Sequence, residues 1–571
     1  MRLLPKGLIL AITLVGLVLG YGIPAAGSAA NIYIAQSAAG AADGADCNDA
    51  YAASFFNTRS NWGSGSTQIG PGTTVHYCGT GTFTAGSPAL TFQGSGTSGN
   101  PITLVFAAGA VMQAPYFPGN PQEGSCSSDC GAIQAINRQY IIIDGGTNGV
   151  IQNTLNGSPT MTCLGGTCSN QQASVGVYAG GSYNIIRNFT INNIYISCGA
   201  TNCSDASNAE GNNAAIRVDN GSTNTYICNN STGNSYYGIT TDTADSGGPS
   251  LSPSCSSNST PSGFHIFQNT LADHCHHIQP NGQGAINIWM NDVSNWSDWI
   301  WPGTGNGCHT DGMISFSDST TEVAPNVYDN YFHGDLGLGS PTGMIYCATN
   351  LTNGGSACTV FNNLLVGAGS MLSGNDAWMY VHASALGPMK YYNNTLVNGG
   401  FSLDMDGDTV TPYTFENNIF IGNGTAWAWH QESTNQPWST LTFTNYNDFY
   451  DLNSNGWNWN GVMYQTLAGW TSGCKGGTGG GSGTCDDASS TSNPNLTSNY
   501  YLQSGSPAIG LGANLTSLGI TPLNYGAPST YGVGSVFNGV ARPASGAWDA
   551  GAYEYQATAP APPTGVAAVA H

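Results

Sequence analysis

The chain has 571 residues, of which 80 are Gly, 7% are charged, 40% are hydrophobic and 10% are aromatic. That share of aromatics excludes a disordered chain, and the glycines lack the every-third-position spacing of a collagen. Nine Lys and Arg against 31 Asp and Glu give a formal charge of −22, which argues against partners held through their phosphates, so no nucleic acid is expected.

Residues 1–30 read as a cleaved secretory signal. Arg2 and Lys6 form a basic start, Leu8 to Leu19 an apolar stretch short for a membrane span, and Ala25-Ala26-Gly27-Ser28-Ala29-Ala30 a run of small residues suited to signal peptidase. No later stretch is apolar enough to span a bilayer. The mature chain is therefore expected to be secreted, extracellular or at the cell surface, without membrane insertion and as a monomer.

All sixteen cysteines follow the signal and fall as successive neighbours: Cys47 and Cys78, Cys126 and Cys130, Cys163 and Cys168, Cys198 and Cys203, Cys228 and Cys255, Cys275 and Cys308, Cys347 and Cys358, Cys474 and Cys485. Local disulfides in an oxidising compartment are the simplest pairing, since such scattered short spacings do not assemble a four-ligand zinc site.

Residues 31–130 read as a β-rich N-terminal cap and first coils, with a short helix within Asp49 to Trp62. Beyond them a degenerate unit, apolar-x-Asn-Asn-x-apolar, recurs. Aligning Asn188, Asn230, Asn269, Asn330, Asn363, Asn394, Asn418 and Asn447 gives steps of 24 to 61 residues, a period with insertions. Asn tolerates the left-handed backbone of a tight bend, and stacked Asn side chains can hydrogen-bond from coil to coil. Between the bends run segments of period-two alternation, such as Ala215-Ile216-Arg217-Val218-Asp219, Gly312-Met313-Ile314-Ser315-Phe316 and Phe401-Ser402-Leu403-Asp404. One such strand per coil, stacked in parallel, would build a continuous core.

At these residues the chain resembles secreted right-handed parallel β-helix proteins of the pectate-lyase-like superfamily, of the bacterial polysaccharide-processing kind. The resemblance implies an all-β solenoid with Asn-containing bends over 131–470, enlarged by loops at 197–213, 243–262 and 273–309. It also implies a closing region over 471–556, opening on a Gly-rich loop at 471–485, and a Pro-rich tail at 557–571. Members of that superfamily include lyases, hydrolases, esterases and adhesins, so fold alone does not choose a reaction.

Alternation places Arg217, Asp219, Thr240, Asp242, Asn287, Trp289, Trp378, Tyr380, His382, Ser402, Asp404 and Asp406 on one face. There they form either a plain solvated surface or a groove whose rings stack on sugar C–H faces and whose carboxylates bind hydroxyls. His309 and Asp311, two apart and followed by Gly312, open a coil strand and point the same way; His-x-Asp-Gly so placed resembles a motif of secreted polysaccharide-processing β-helices. The segment before it carries Trp289, Trp296, Trp299 and Trp301, read as a carbohydrate platform, and His274, His276 and His277, read as local packing or metal ligands. Asp404 and Asp406 on alternate positions make a carboxylate pair or an oxygen-rich calcium site.

The expected function is degradation of a neutral or weakly acidic polysaccharide, most simply by carboxylate-driven glycoside hydrolysis with His309, Asp311, Asp242, Asp404 and Asp406 as catalytic candidates. Arg217, Asp219, Trp289, Trp296, Trp299, Trp301, Trp378, Tyr380 and His382 are the substrate-binding candidates. No cofactor is required, and calcium is compatible. The alternatives are a calcium-assisted polysaccharide lyase and a non-catalytic carbohydrate-binding or adhesin β-helix. The acidic chain would repel a polyuronate, which ranks the lyase lower.

Overall fold

The computed structural model describes residues 30–119, 130–155, 173–194, 213–245, 248–296, 310–315, 323–335, 343–350, 358–367, 379–384, 389–399, 401–404, 413–424, 427–431, 441–454, 456–459, 461–478 and 485–556. Residues 1–29 of the expected signal, the expected Pro-rich tail, and Cys126, Cys163, Cys168, Cys198, Cys203 and Cys308 lie outside them. The architecture is a parallel β-helix. Nearly every strand pairs in parallel with the equivalent strand one coil later, and the pairings sort into three faces.

On face A the inward row runs Leu90, Ile133, Val177, Ile216, Ile239, Ile278, Met313 and Ile345, each in register with the next where both strands pair. On face B the ladder starts at Asn31–Ala35, pairs with Thr74–Tyr77 and Ile102–Phe106, and continues to Leu441–Asn445. Face C begins at Thr80–Thr82 against Val111–Ala114 and ends at Asp448–Tyr450. Coils thus begin at the first described residues, and the expected short helix is Ala53–Asn57, flanked by single turns at Cys47–Asp49 and Arg59–Asn61.

Each B-to-C corner divides the Asn-Asn doublet into two tasks. The first member bends the chain: Asn229, Gln268, Met290, Asp329, Asn362, Asn393, Asn417 and Tyr446 all have φ between 51° and 63°, the left-handed region that Asn and Asp enter most cheaply. The second member points inward and forms a ladder. In Asn330 the backbone N–H and the side-chain Nδ2 both donate to Oδ1 of Asn363, at 3.1 and 3.0 Å, while Nδ2 also reaches the carbonyl of Ile288 at 2.9 Å. The same pattern links Asn230, Asn269, Asn291, Asn330, Asn363, Asn394, Asn418 and Asn447, and ends on the Asp486 carboxylate. A buried amide that meets its donors and acceptors avoids the desolvation cost that an unpaired one incurs at every coil.

Two expectations change here for one reason. Asn188 is a bend residue with φ 62°, and Phe189 fills the ladder position of its coil, its N–H donating to Asn230. Conversely Asn291 is a ladder member, which splits the apparent 61-residue step into 22 and 39. The segment 273–309 is therefore in large part an ordinary coil and not a loop, its strand Thr270–Trp289 turning through faces C, A and B and Asp292–Trp296 following on face C.

The expected Gly-rich loop also differs: Leu467–Thr478 is an α-helix. Its Trp470 is fully buried and donates to Asp486 at 2.8 Å, and its Cys474 is bonded to Cys485. Burial of the ring and the cross-link outweigh the low helix propensity of its glycines. Disulfides also join Cys47–Cys78, Cys228–Cys255 and Cys347–Cys358, and Cys130 and Cys275 are disulfide-bonded to residues outside the described set.

The closing region does more than cover the last coil. Its 510–556 segment runs back along the B-to-C corner as a strap, meeting the outward bend residues. The Asn417 amide bonds the backbone of Ala513 in both directions, Asn393 donates to Asp549, Asn362 to Tyr525 and Gln268 to Ser535, and Gly534 N–H donates to Asn229. Arg542, fully buried, locks the strap through Glu554 at 2.9 Å and Asn362 at 3.1 Å. Beneath it lies a row of outward aromatic side chains from face B, with Phe267, Trp289, Tyr328 and Phe361 stacked at 4.8 to 6.0 Å and nearly parallel.

Asn330→Ala should destabilise the fold by about 2–4 kcal/mol in chemical denaturation, because it leaves the Asn291 amide without its acceptor as well as removing its own bonds; a loss under about 0.5 kcal/mol would contradict the ladder's role.

Burial pushes Glu416, Asp448 and Glu554 up to about 7, Arg542 only partly offsetting the effect at Glu554. A carboxyl with a raised folded value binds its proton more tightly in the folded chain. Its stability contribution is then complete below the unfolded value near 4 and lost as pH rises through about 7. Thermal unfolding should accordingly occur at higher temperature at pH 5 than at pH 8, and Glu416→Gln should narrow that gap; a stability maximum above neutral pH would rule this out.

Candidate functional site

Face A holds the candidate residues Arg217, Asp219 and Asp242. Three positions past its inward row stand Asp219, Asp242 and Asn281, and the backbone positions of Ala348, His382 and Asp404 continue the row in register, their side chains lying outside the described set together with those of Tyr380 and Ser402. One position past it stand Tyr178, Arg217, Thr240 and Gln279, in register from coil to coil. Neighbouring rungs are about 4.8 Å apart, so these rows form a band across successive coils.

The register slips at one place on this band. Val218 pairs with Thr241 and Ser222 with Thr243, so Asp219, Asn220 and Gly221 stand opposite Asp242 alone. Gly221, with φ 63°, supplies the turn of this bulge, and the Ser222 hydroxyl closes it on the Asp219 carbonyl. The bulge sets Asp219 beside Asp242. Asp219 is 1% exposed and bonded to Arg217 Nε at 2.7 Å, with the Tyr178 hydroxyl also reaching it. Burial raises its ionisation above the ordinary carboxylate value and the Asp242 charge adds to the rise, while Arg217 and Tyr178 oppose it. Asp242 is exposed.

A second focus lies at the edge of the same face, where it meets the preceding corner. Tyr237, His276 and Asp311 are in register on three consecutive coils. His276 Nδ1 sits 3.1 Å from Asp311 Oδ2, and the rings of Tyr236 and Tyr237 lie 5.2 and 5.4 Å from the imidazole. Asp311 is thus partnered by His276. His309 lies outside the described residues, as do Trp299, Trp301, Trp378 and Asp406.

Behind this pair, His274 and His277 face the interior. His274 bonds Thr232 and Ser235, and burial lowers it to about 4. His277 contacts the Ser294 carbonyl at 3.1 Å, and burial holds it well below its ordinary value. His274 and His277 thus share the interior, their rings 5.0 Å apart, while His276 faces Asp311. Among the described residues no group of three or more His, Cys, Asp or Glu side chains could hold a metal ion; the Asp404 side chain and Asp406, the calcium candidates, lie outside them. Gly312 has no left-handed φ; its role is space, since a Cβ would run into the Phe332 ring at 2.7 Å and the Met344 carbonyl.

Trp289 and Trp296 are placed elsewhere than on a groove. Trp289 belongs to face B, 2% exposed and sandwiched between Phe267 and Tyr328. Trp296 is 4% exposed, its ring 4.9 Å from His277. Both follow from the coil that replaces the expected loop, and Asn287 likewise sits on face B, in register with His265 and Asn326. His382 and Asp404 stand in register on adjacent rungs, as do Tyr380 and Ser402. The catalytic candidates Asp242, Asp311 and Asp404 are spread over several coils and do not form one cluster.

Sequence reading missed the two pairings, His276 with Asp311 and Asp219 with Asp242. The first was recoverable: His276 lies two residues before Ile278 and Asp311 two before Met313, and aligning those apolar residues sets the pair side by side. The second depends on a bulge that alternation alone does not show.

No family model and no curated protein matches the chain. Among solved structures the chain is similar to pectate lyase Pel9A, at 12% identity over 93% of this chain and 97% of that one, with a TM-score of 0.43. It is also similar to a PL6 family polysaccharide lyase from Pseudopedobacter saltans, at 10% identity over 86% and 97%, with a TM-score of 0.38. At these identities and TM-scores the likeness carries no argument, and the architecture rests on the strand register. Among the described residues no helix is long and apolar enough to cross a membrane.

Because Trp289 is a packed ring, Trp289→Ala should cost about 3–5 kcal/mol of stability and leave glycan affinity of the folded fraction unchanged; an unaltered denaturation midpoint with weakened sugar binding would contradict its placement.

Proposed function

We propose that the protein is a secreted polysaccharide-active enzyme that binds a neutral or weakly acidic glycan across face A and hydrolyses it with two carboxyl groups. The observation that carries this reading is the Asp219–Asp242 pair. One carboxyl is buried, its ionisation raised above the ordinary carboxylate value by burial and by Asp242, the other is exposed to water, and a bulge holds them together. Two acids whose environments separate their ionisation are what glycoside hydrolysis uses.

In this mechanism Asp219 gives its proton to the glycosidic oxygen as the C–O bond breaks. The carboxylate left behind is met by the Arg217 guanidinium and the Tyr178 hydroxyl. Asp242 stabilises the oxocarbenium-like sugar or takes a proton from the water that attacks the anomeric carbon. Thr240 and Gln279, on adjacent rungs, offer hydroxyl and amide partners to neighbouring sugar hydroxyls, and the row positions of His382 and Asp404 extend the band toward further sugar units.

A second reading is favoured by the His276–Asp311 pair. An imidazole oriented by a carboxylate, with two tyrosine rings around it, is equipped to remove the ring proton next to a uronate carboxyl and so start a β-elimination. The two readings differ in product. Degradation of a panel of neutral and uronic-acid polysaccharides should release reducing ends without ultraviolet-absorbing unsaturated sugars, and Asp219→Asn or Asp242→Asn should lower kcat by about 10²–10⁴-fold in a folded protein. Unsaturated products, abolished by His276→Ala and retained in Asp242→Asn, would replace hydrolysis by elimination. Binding without turnover, unchanged in all three variants, would leave a carbohydrate-binding β-helix.

A further inference from the structure

The strap and the turn facing it form a cleft. Its volume is about 490 Å³, and its walls are Pro249 to Ser252 on one side and Thr521, Tyr525 and Phe537 to Gly539 on the other. That size lies in the range of small-ligand sites.

Both walls are fixed. The Tyr328 hydroxyl, emerging from the stacked aromatic row, accepts from Ser250 N–H at 3.1 Å and donates to its carbonyl at 2.7 Å. On the strap side the Tyr525 carbonyl accepts from Asn362 at 2.8 Å, and Gly526 N–H donates to Val540 at 2.8 Å. Asn538 holds Ser529 through both ends of its amide. Both walls of the cleft are therefore anchored to side chains of the β-helix, Tyr328 on one side and Asn362 on the other.

Its lining has a particular chemistry. In a chain of charge −22, none of the residues around the cleft is Asp, Glu, Lys, Arg or His. Aromatic and aliphatic surface comes from Tyr525, Phe537 and Leu251, with the two rings edge to face at 5.9 Å. Hydroxyl and amide groups come from Ser250, Ser252, Thr521 and Asn538. At the rim, next to Phe537, Val536 is 71% exposed, an apolar side chain left in water. An ion gains nothing from such a site, and a purely apolar ligand would strand its hydroxyls. A sugar matches both halves, its C–H face against a ring and its hydroxyls against the polar groups.

We propose that this cleft is a second, non-catalytic binding site for an uncharged oligosaccharide, placed between the strap and the turn at Pro249 to Ser252. The ligand class rests on the polysaccharide reading of face A; the existence of the site does not. Such a site would hold a polymer to the enzyme while face A acts on another stretch of it.

The test is titration calorimetry on the full mature chain carrying Asp242→Asn, so that no turnover occurs. The probes are cellohexaose, xylohexaose, mannohexaose and maltohexaose, with hexagalacturonate as the charged control. Added Phe537→Ala, or Ser252→Trp to fill the cleft from an exposed position, should remove one equivalent of bound neutral sugar, or weaken it at least 10-fold, with circular dichroism unchanged. That loss is expected whether or not face A binds a second equivalent, so failure of the face A reading and failure of this one are separable. Stoichiometry and affinity unaltered by both variants, no binding of any neutral probe, or preferential binding of hexagalacturonate in the cleft would overturn the proposal.

Discussion

Everything in this molecule depends on a polar constraint inside an apolar core. A parallel β-helix must turn its chain at every coil, and each turn leaves backbone N–H and C=O groups that the strand ladders do not satisfy. The column from Asn230 to Asn447 answers this because each inward Oδ1 accepts from the coil before, while each Nδ2 donates both to a carbonyl of the coil before and to the side-chain oxygen of the coil after. Because each member needs the next, coils cannot slip by a residue without breaking the column. The register that the column enforces is what sets Asp242, Gln279 and Arg217 on one outward band.

The bend residues show how the same doublet serves the outside. An Asn in the left-handed region presents its amide away from the core, and the strap takes up those amides at Asn229, Asn362, Asn393 and Asn417. The strap also buries the aromatic row of face B beneath Trp548, Leu515 and Leu523. An exposed ladder of rings would be an association hazard, and here it becomes the flank's own core, leaving face A as the surface whose rows of polar side chains have no such cover from the strap.

Much of this was legible in the sequence, and the failures share a cause. The Asn-Asn doublet announced parallel coils because its two members do two physical jobs, yet aligning on a single Asn per coil confused the jobs at Asn188. Met290-Asn291 was missed because Met stands at the bend where Asn usually does. That one omission turned a coil into a loop and carried Trp289 and Trp296 to the wrong environment. The site was less legible than the fold. Asp242 and Asp311 were identifiable as candidates, but their partners Asp219 and His276 come from neighbouring coils, and a bulge and a corner decide which side chains meet. Periodicity records which way a residue faces along a regular strand, and it is silent where the strand departs from regularity.

The central claim is that face A, at the Asp219–Asp242 bulge, is where the glycan lies. The most direct measurement is a crystal structure of the full mature chain carrying Asp242→Asn, soaked with a hexasaccharide of the polysaccharide that the wild-type chain degrades. The predicted result is a sugar chain across face A with a glycosidic oxygen within hydrogen-bond distance of the Asp219 carboxyl. A hexasaccharide bound only on face C or only beneath the strap, with face A empty, would contradict it.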